Sequence, residues 1–305
     1  AGGTFNMTGF EISDCTFSGS GSFLGYFGSV MLQTMTTVNI TDVTMRNVVL
    51  SLQNEETQTS NPFAIFTVGG ILGVFIRDIV IINLRATSYT QDVITSGLVQ
   101  RYYTYTAGWE STTIRNVTIQ NSDINGAMSV LFLTNDEPKN LVENLVIDRF
   151  NVINSNLTSA SLILFSLSPR SDVIHVRNFL EHNLRRFNFT SNVLVDTHIV
   201  TYLELNSDLT IYANESVRIL MDGVHFHNNV FQSTFGSDVI QMGGAQLIVK
   251  NLTMTSNRIS NVVFFTNLLK TASFFLVDST FTNNTLTGGS YIVGYTLSST
   301  MYRIL

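Results

Sequence analysis

The chain repeats a short string in which apolar and polar residues alternate on both sides of a turn-forming residue. Four clear copies are TTVNITDVTMRNVVL at 36–50, STTIRNVTIQNSDIN at 111–125, AQLIVKNLTMTSNRI at 245–259 and SFFLVDSTFTNNTLT at 273–287. Nine copies align on this residue, which we call the central residue. The position two residues before it is aliphatic in every copy, and the position five residues after it is Asn in seven. The nine central residues are Asp14, Asp42, Asp78, Asn116, Arg149, Asn178, Gly223, Asn251 and Asp278.

The alternation has the two-residue period of β-strands. Apolar residues on both sides of the central residue predict two short strands joined by a corner, and an apolar run ahead of most copies, such as 162–165, predicts a third strand. A three-strand unit that recurs about every 33 residues is typical of a parallel β-solenoid, in which each coil stacks on the previous one. We therefore predict an all-β fold. We expect a single parallel β-helix domain over 1–305, with about nine coils of three strands each.

The Asp and Asn columns predict ladders at the corners. A sharp corner needs left-handed backbone, which Asn and Asp tolerate better than other non-glycine residues. Equivalent residues of stacked coils lie about 4.8 Å apart, so their amides can hydrogen-bond from coil to coil. Glu181 disturbs the pattern, because it falls in an apolar column. Either it is a buried acid, or the coil that begins at Asn178 slips in register, which is the interpretation that we prefer.

The aliphatic column and the Asn ladders resemble the right-handed parallel β-helix proteins of the pectin-lyase-like superfamily, over essentially the whole chain. The Asn-, Thr- and Phe-rich composition with few charges is also similar to large surface proteins of protists. The superfamily resemblance implies the fold. Members that cleave acidic polysaccharides carry carboxylates, or Ca²⁺ held by carboxylates beside a basic residue, on an outward strand face. Here the outward columns two and four residues after the central residue contain no Asp or Glu. Glycoside hydrolysis needs two carboxylates, so we predict no catalytic residues.

Composition narrows the classes of function further. Only 12% of the residues are charged and the net charge is −6, so nucleic acid is not an expected partner. The single cysteine, Cys15, cannot form an internal disulfide. The apolar stretch at 63–76 has 14 residues, fewer than the roughly 20 that span a bilayer as a helix, so no transmembrane span is predicted.

His225 and His227 are the best candidates for metal ligands. They alternate with apolar residues and so point outward, and His182 is expected near them, one coil below. Two or three imidazoles in such a group can bind a transition metal. The alternative is an exposed strand face without a metal, and this is the interpretation that we prefer.

Aromatic side chains are concentrated in a predicted loop over 100–112. The loop contains Tyr102, Tyr103, Tyr105 and the only tryptophan, Trp109. Such rings can stack on sugar rings or on a partner subunit. They can equally fold down as a lid on the coil. The sequence leaves these alternatives open.

Eight Asn-X-Ser/Thr sequons make N-linked glycans the expected modification if the chain is secreted; no other cofactor is predicted. We expect glycans first at the loop sequons Asn156, Asn188 and Asn214 and at Asn39 on an outward strand position, because a ladder asparagine has to turn outward to be modified. The sequons are Asn6, Asn39, Asn116, Asn156, Asn188, Asn214, Asn251 and Asn283.

The sequence thus favours an extracellular or cell-surface glycoprotein with a structural or adhesive role, such as a component of a filament or surface layer. The first alternative is a carbohydrate-binding β-helix module without catalysis, and the second is a polysaccharide lyase or hydrolase. The terminal segments AGGTFNMT and SSTMYRIL carry no cap, and solenoid ends need capping. We therefore expect a segment of a longer chain, or a protomer that associates with itself or with neighbouring domains through its open ends.

Overall fold

The computed structural model describes residues 3–18, 26–28, 35–52, 64–69, 73–88, 96–103, 109–126, 128–135, 142–167, 180–204, 217–234, 236–242, 246–267, 274–295 and 303–304. Every regular element in these ranges is a β-strand, and the paired strands run parallel. This confirms the predicted all-β solenoid. In the same ranges there is no helix that could cross a membrane.

The strands form three sheets, which the chain visits in turn. The first sheet consists of Gly3–Ser13, Met35–Arg46, Gly73–Ile82, Trp109–Gln120, Val142–Ile153, Leu180–Thr190, Val217–His227, Gln246–Thr255, Phe274–Val277, Thr280–Thr282 and Arg303–Ile304. The second consists of Thr16–Ser18, Val49–Leu52, Arg85–Ser88, Asp123–Asn125, Asn156–Thr158, Val193–Val195, Val230–Gln232, Arg258–Ser260 and Thr285–Thr287. The third consists of Tyr26–Gly28, Ala64–Gly69, Ser96–Tyr103, Met128–Asn135, Ser161–Leu167, His198–Glu204, Asp238–Met242, Val263–Asn267 and Tyr291–Tyr295. One passage through the three sheets is one coil.

Left-handed backbone marks the corners of each coil. The central residue lies inside the first-sheet strand, with φ of 58° at Asp42, 61° at Asn116 and 69° at Gly223. In most coils the two short strands predicted around it are therefore one strand that bends at this residue; around Asp278 they are separate, as Phe274–Val277 and Thr280–Thr282. The second sheet, which the sequence pattern did not reveal, supplies the remaining strand of the coil. A second left-handed residue follows five positions later, for example Asn47 and Asn121.

Two central residues were assigned wrongly from the sequence. In the first coil the central column contains Gly9, because Phe10 pairs with Val43; Asp14 belongs to the column five residues later. Glu11, which pairs with Thr44, therefore stands in an outward column that was predicted to contain no Asp or Glu. In the coil of Leu180–Thr190 the central residue is Arg186, with φ of 54°, and Asn178 lies outside the described residues. Glu181 pairs with Arg218, five positions before the central column. The strand Leu180–Thr190 pairs with both neighbours without a register shift, so the coil does not slip. The irregularity at Glu181 came from the choice of Asn178 as the central residue.

The core lies between the three sheets and becomes aromatic in the later coils. Ile40, Ile114 and Ile147, each two residues before a central residue, are fully buried. Phenylalanines stack from coil to coil, with ring centroids 5.4 Å apart for Phe150 and Phe187. Because each coil contacts mainly its neighbours, these columns hold the solenoid together along its length.

A buried polar ladder runs along the corner between the first and second sheets. Asn229 shows the pattern: its Nδ2 donates to the carbonyl of Phe189 at 2.9 Å and to Oδ1 of Asn257 at 3.0 Å, and its Oδ1 accepts the backbone N–H of Asn192 at 3.0 Å. This ladder was not predicted from the sequence. The predicted ladder one position earlier is also present in part, since Asn83 donates to Asn47. The members of the buried ladder are Ser122, Ser155, Asn192, Asn229, Asn257 and Asn284.

Candidate functional site: a groove on the first sheet

A groove lies on the outer face of the first four strands of the first sheet. Its volume is about 470 Å³, within the usual range of roughly 300–1,000 Å³ for ligand pockets. Side chains alternate along each strand, so the residues one and three positions before the central residue point outward and line it. The lining residues are Asn6, Met7, Thr8, Asn39, Thr41, Phe75, Ile76, Arg77, Thr113 and Arg115.

Amides and hydroxyls form one half of the groove. Asn6 pairs with Asn39 and Thr8 pairs with Thr41 on adjacent strands. Asn39 donates from Nδ2 to Oδ1 of Asn6 at 2.7 Å, and the hydroxyls of Thr41 and Thr8 are 3.0 Å apart. These bonds fix the direction of the side chains, so the groove presents a preorganised row of hydrogen-bonding groups.

Two arginines form the other half. Arg77 and Arg115 are register partners on neighbouring strands, and like charges directly opposite each other are destabilising. Nε of Arg77 is 3.9 Å from Oδ2 of Asp78, with both side chains largely exposed, so this contact is weak. The register partner of Arg115 on its other side is Asp148, whose carboxylate is bonded elsewhere. The groove therefore carries local positive charge in a chain of net charge −6.

The carboxylate of Asp148 is bonded to Arg186 rather than to a residue that lines the groove. Arg186 donates from Nε to Oδ1 of Asp148 at 2.7 Å and from Nη2 to Oδ2. The alternating signs of Arg115, Asp148 and Arg177 in the sequence predict exposed ion pairs. That prediction is wrong for Asp148, which is only 6% exposed; Arg177 lies outside the described residues. The hydrogen bonds from Arg186 lower the pKa of the Asp148 carboxyl, although burial opposes this shift.

The lowered pKa of Asp148 predicts a pH-dependent contribution to stability. A carboxyl whose pKa is lower in the folded state stabilises the fold above its unfolded pKa of about 3.9, and this contribution is lost as the pH falls. We expect Asp148→Asn to lower the urea midpoint at pH 7, and we expect the difference from the wild type to shrink at pH 3. Asp123→Asn, which neutralises an exposed carboxylate, is the control. An equal difference in urea midpoint between Asp148→Asn and the wild type at pH 7 and pH 3 would contradict the lowered pKa of Asp148.

A second polar cluster lies between the second and third sheets. Asp196 accepts hydrogen bonds from the hydroxyl of Ser233 at 2.7 Å and from the backbone of Thr234 at 2.9 Å. Burial lowers the pKa of His198 and raises the pKa of Asp238, whose carboxylate accepts a bond from Thr266. These bonds tie neighbouring coils together away from the groove.

The histidines do not form the predicted group. His225 and His227 are exposed on one strand, as predicted. His182 is instead 4% exposed and points inward, because it pairs with Leu145 and Ile219 in a core column. In the part of the chain that the structure describes, no three His, Cys, Asp or Glu side chains are placed to hold a metal ion.

Two strands extend into the predicted aromatic loop. Tyr102 and Tyr103 end the strand Ser96–Tyr103, and Trp109 begins the strand Trp109–Gln120. The loop over 100–112 was therefore wrong at both ends, because the third-sheet and first-sheet strands extend into it. Tyr105 and the side chains of the other three aromatic residues lie outside what the structure describes, so their contact with a sugar or partner stays a prediction.

The sequon asparagines occupy several kinds of position. Asn156 and Asn188 lie in strands rather than in the predicted loops, and Asn214 lies outside the described residues. Of the ladder sequons, Asn116 donates to Asp78 and Asn251 donates to Asp222, each at 2.7 Å. Asn283 is exposed. Asn6 and Asn39 differ from these, because both line the groove.

Comparison of the chain with protein-family models, with curated proteins and with solved structures finds no match. The parallel β-solenoid fold is therefore assigned from the pairing of the strands in this structure alone. The assignment of function rests on the groove and its side chains.

Proposed function

We propose that this chain is an extracellular adhesive β-solenoid that binds an anionic saccharide in the groove. The observation that carries the proposal is the pairing of Arg77 with Arg115 beside a row of amides and hydroxyls. Guanidinium groups bind sulfate and carboxylate groups through paired, charge-assisted hydrogen bonds. Asn and Thr side chains match the hydroxyls of a sugar, and the ring of Phe75 offers an apolar surface to its carbon face.

Binding without cleavage is the activity that this lining supports. None of the ten residues that line the groove is an Asp or Glu. A glycosidase needs two carboxylates on either side of the scissile bond. Arginines, amides and hydroxyls supply recognition instead. We therefore place the chain among carbohydrate-binding proteins rather than among glycoside hydrolases.

The architecture and the composition support an extracellular role. The resemblance to the pectin-lyase-like superfamily implies that an outward strand face is used for acidic polysaccharides, and this groove lies on such a face. The polar, charge-poor sequence with eight sequons is similar to surface proteins of protists. Binding to an acidic polysaccharide would attach the chain to a cell surface or surface layer, which joins the adhesive and structural roles in one protein.

The test is a titration of unglycosylated protein, made in a bacterial cytoplasm, with a heparin-derived hexasaccharide, an oligogalacturonate and a neutral chito-oligosaccharide. We expect at least one acidic probe to bind and the neutral one to bind more weakly. Arg77→Gln and Arg115→Gln should each weaken binding by about tenfold or more, since a lost charge-assisted hydrogen bond costs about 1.5–3 kcal/mol. Added salt should weaken binding as well.

Arg258→Gln is the matched control, because Arg258 is an exposed arginine on the outer face of the second sheet. It should leave the affinity unchanged. Equal affinity for neutral and acidic probes, or an equal loss in Arg258→Gln, would overturn the proposal.

A further inference from the structure

Phe75 is an exposed aromatic ring in an otherwise polar part of the groove. Its side chain is 41% exposed, and among the large exposed hydrophobic residues of the described chain it is the one that lines the groove. Its register partners are Asn39 on one side and Thr113 on the other. Covering an exposed phenyl ring with the apolar face of another group is favourable.

The neighbour of Phe75 on the preceding coil is a glycosylation acceptor. Asn39, Ile40 and Thr41 form a sequon, and Ile40 is fully buried. Since side chains alternate, the acceptor amide and the hydroxyl of this sequon both face the groove. Adjacent coils are separated by about 4.8 Å, so the amide and the ring lie side by side.

The hydrogen bond of Asn39 is compatible with a glycan. Nδ2 of Asn39 donates one N–H to Asn6. In N-glycosylation, Nδ2 forms a bond to C1 of the first sugar and loses one proton, while the bond between C1 and the diphosphate of a lipid-linked oligosaccharide donor breaks. The modified amide keeps one N–H, which is enough for the bond to Asn6. The sugar takes the place of the other hydrogen, on a side chain that lines the groove.

We propose that Asn39 carries an N-linked glycan whose first sugar packs on Phe75 and covers the groove, so that this modification and the binding of an external saccharide exclude each other. The proposal rests on the extracellular, saccharide-binding function proposed for the groove, and it adds a means of controlling that function. A sugar on Asn39 also explains why the ring of Phe75 lies exposed in the groove.

The sequons away from the groove lack this surrounding and provide a comparison. The residues beside Asn251 on neighbouring coils are Gly223 and Asp278. Those beside Asn156 are Asp123 and Val193. Among the sequon asparagines that the structure describes, Asn39 is the one whose register partner is an exposed phenylalanine. A glycan elsewhere should therefore be insensitive to Phe75.

The test compares protein secreted from a eukaryotic host with protein made in a bacterial cytoplasm. Peptide mass spectrometry should find a glycan on Asn39 in the secreted protein. Phe75→Ala should lower the Tm of the secreted protein by about 2 °C or more, the size expected when roughly 1 kcal/mol is lost in a chain of this length. In the bacterial protein the same substitution should lower the Tm by less. Secreted Asn251→Gln is the control, and it should keep the full effect of Phe75→Ala.

Binding gives the second readout. Secreted wild-type protein should bind the acidic probe at least about tenfold more weakly than the bacterial protein, and secreted Asn39→Gln should regain the affinity of bacterial Asn39→Gln. An unmodified Asn39 peptide, equal Tm losses in both hosts, or equal affinity of both wild-type proteins would overturn the inference. If the bacterial protein binds no acidic probe, the proposed function fails by itself, and mass spectrometry with the Tm comparison still decides the contact between the glycan and Phe75.

Discussion

Replacement of Phe226 with alanine is expected to lower the free energy of unfolding by about 4 kcal/mol, as large-to-small changes of buried aromatic residues do. Phe226 is 1% exposed and touches a phenylalanine from each of the three sheets. Its ring centroid lies 5.1 Å from that of Phe189, 5.7 Å from Phe231 and 5.0 Å from Phe264. The cavity would open where the sheets meet, and strands paired from coil to coil leave little freedom to close it.

Urea unfolding measures this loss, and Phe281→Ala is its matched control. Phe281 stands in the same column two coils later, three residues after a central residue, but it is 42% exposed. Its replacement should cost less than about 1 kcal/mol, since substitutions outside the core have small effects. Similar losses in the two variants would mean that the register assigned to the core is wrong. The dependence of the unfolding free energy on urea concentration, the m-value, is measured together with the midpoint. A changed m-value indicates altered compactness or the loss of a single cooperative transition.

Replacement of Asn229 with alanine is expected to cost about 3 kcal/mol or more, because several buried partners lose their hydrogen bonds at once. The amide of Asn229 donates to the carbonyl of Phe189 and to Asn257, and its oxygen accepts from the backbone and the side chain of Asn192. All three asparagines are 1% exposed, so water cannot replace the lost partner.

The neighbouring residue provides the control for this prediction. Asn228 is exposed and has a φ of 55°, a left-handed conformation that glycine adopts without strain. Asn228→Gly should therefore change the urea midpoint little. If Asn229→Ala were no more destabilising than Asn228→Gly, the buried ladder would not be a main source of stability.

The solenoid could be predicted from the sequence because apolar residues recur with the period of its coils. The positions two before and one after the central residue stay apolar in nearly every coil, so seven of the nine central residues were found. The two failures have a physical cause. Gly9 suits left-handed backbone as well as Asp or Asn does, and Arg186 occupies it while its guanidinium is bonded to Asp148. In these two coils Asp14 and Asn178 also have an aliphatic residue two positions before them, so the alignment chose them instead.

The groove was missed for the same reason. With Asp14 as the central residue of the first coil, Asn6 and Thr8 did not fall into the columns of Asn39 and Thr41, and the shared face stayed hidden. The corrected register brings all four side chains together. Arg77 was not singled out from the sequence, because the sequence does not show which charges find a partner.

The buried ladder gave a weak signal in the sequence. Its column begins with Cys15, Val48 and Leu84 and becomes Asn only from Asn192 onward. The preceding column is Asn or Asp in most coils, so the ladder was predicted there instead. Only the structure shows that the two columns turn to opposite sides of the corner.

The most direct test of the proposed function is a crystal structure of the unglycosylated protein with the acidic oligosaccharide that binds it best. The account predicts that a sulfate or carboxylate group lies about 3 Å from the guanidinium of Arg77 or Arg115, at hydrogen-bonding distance, with the sugar ring between the Asn6–Asn39 pair and Phe75. A saccharide bound on another face of the solenoid, with this groove empty, would contradict it.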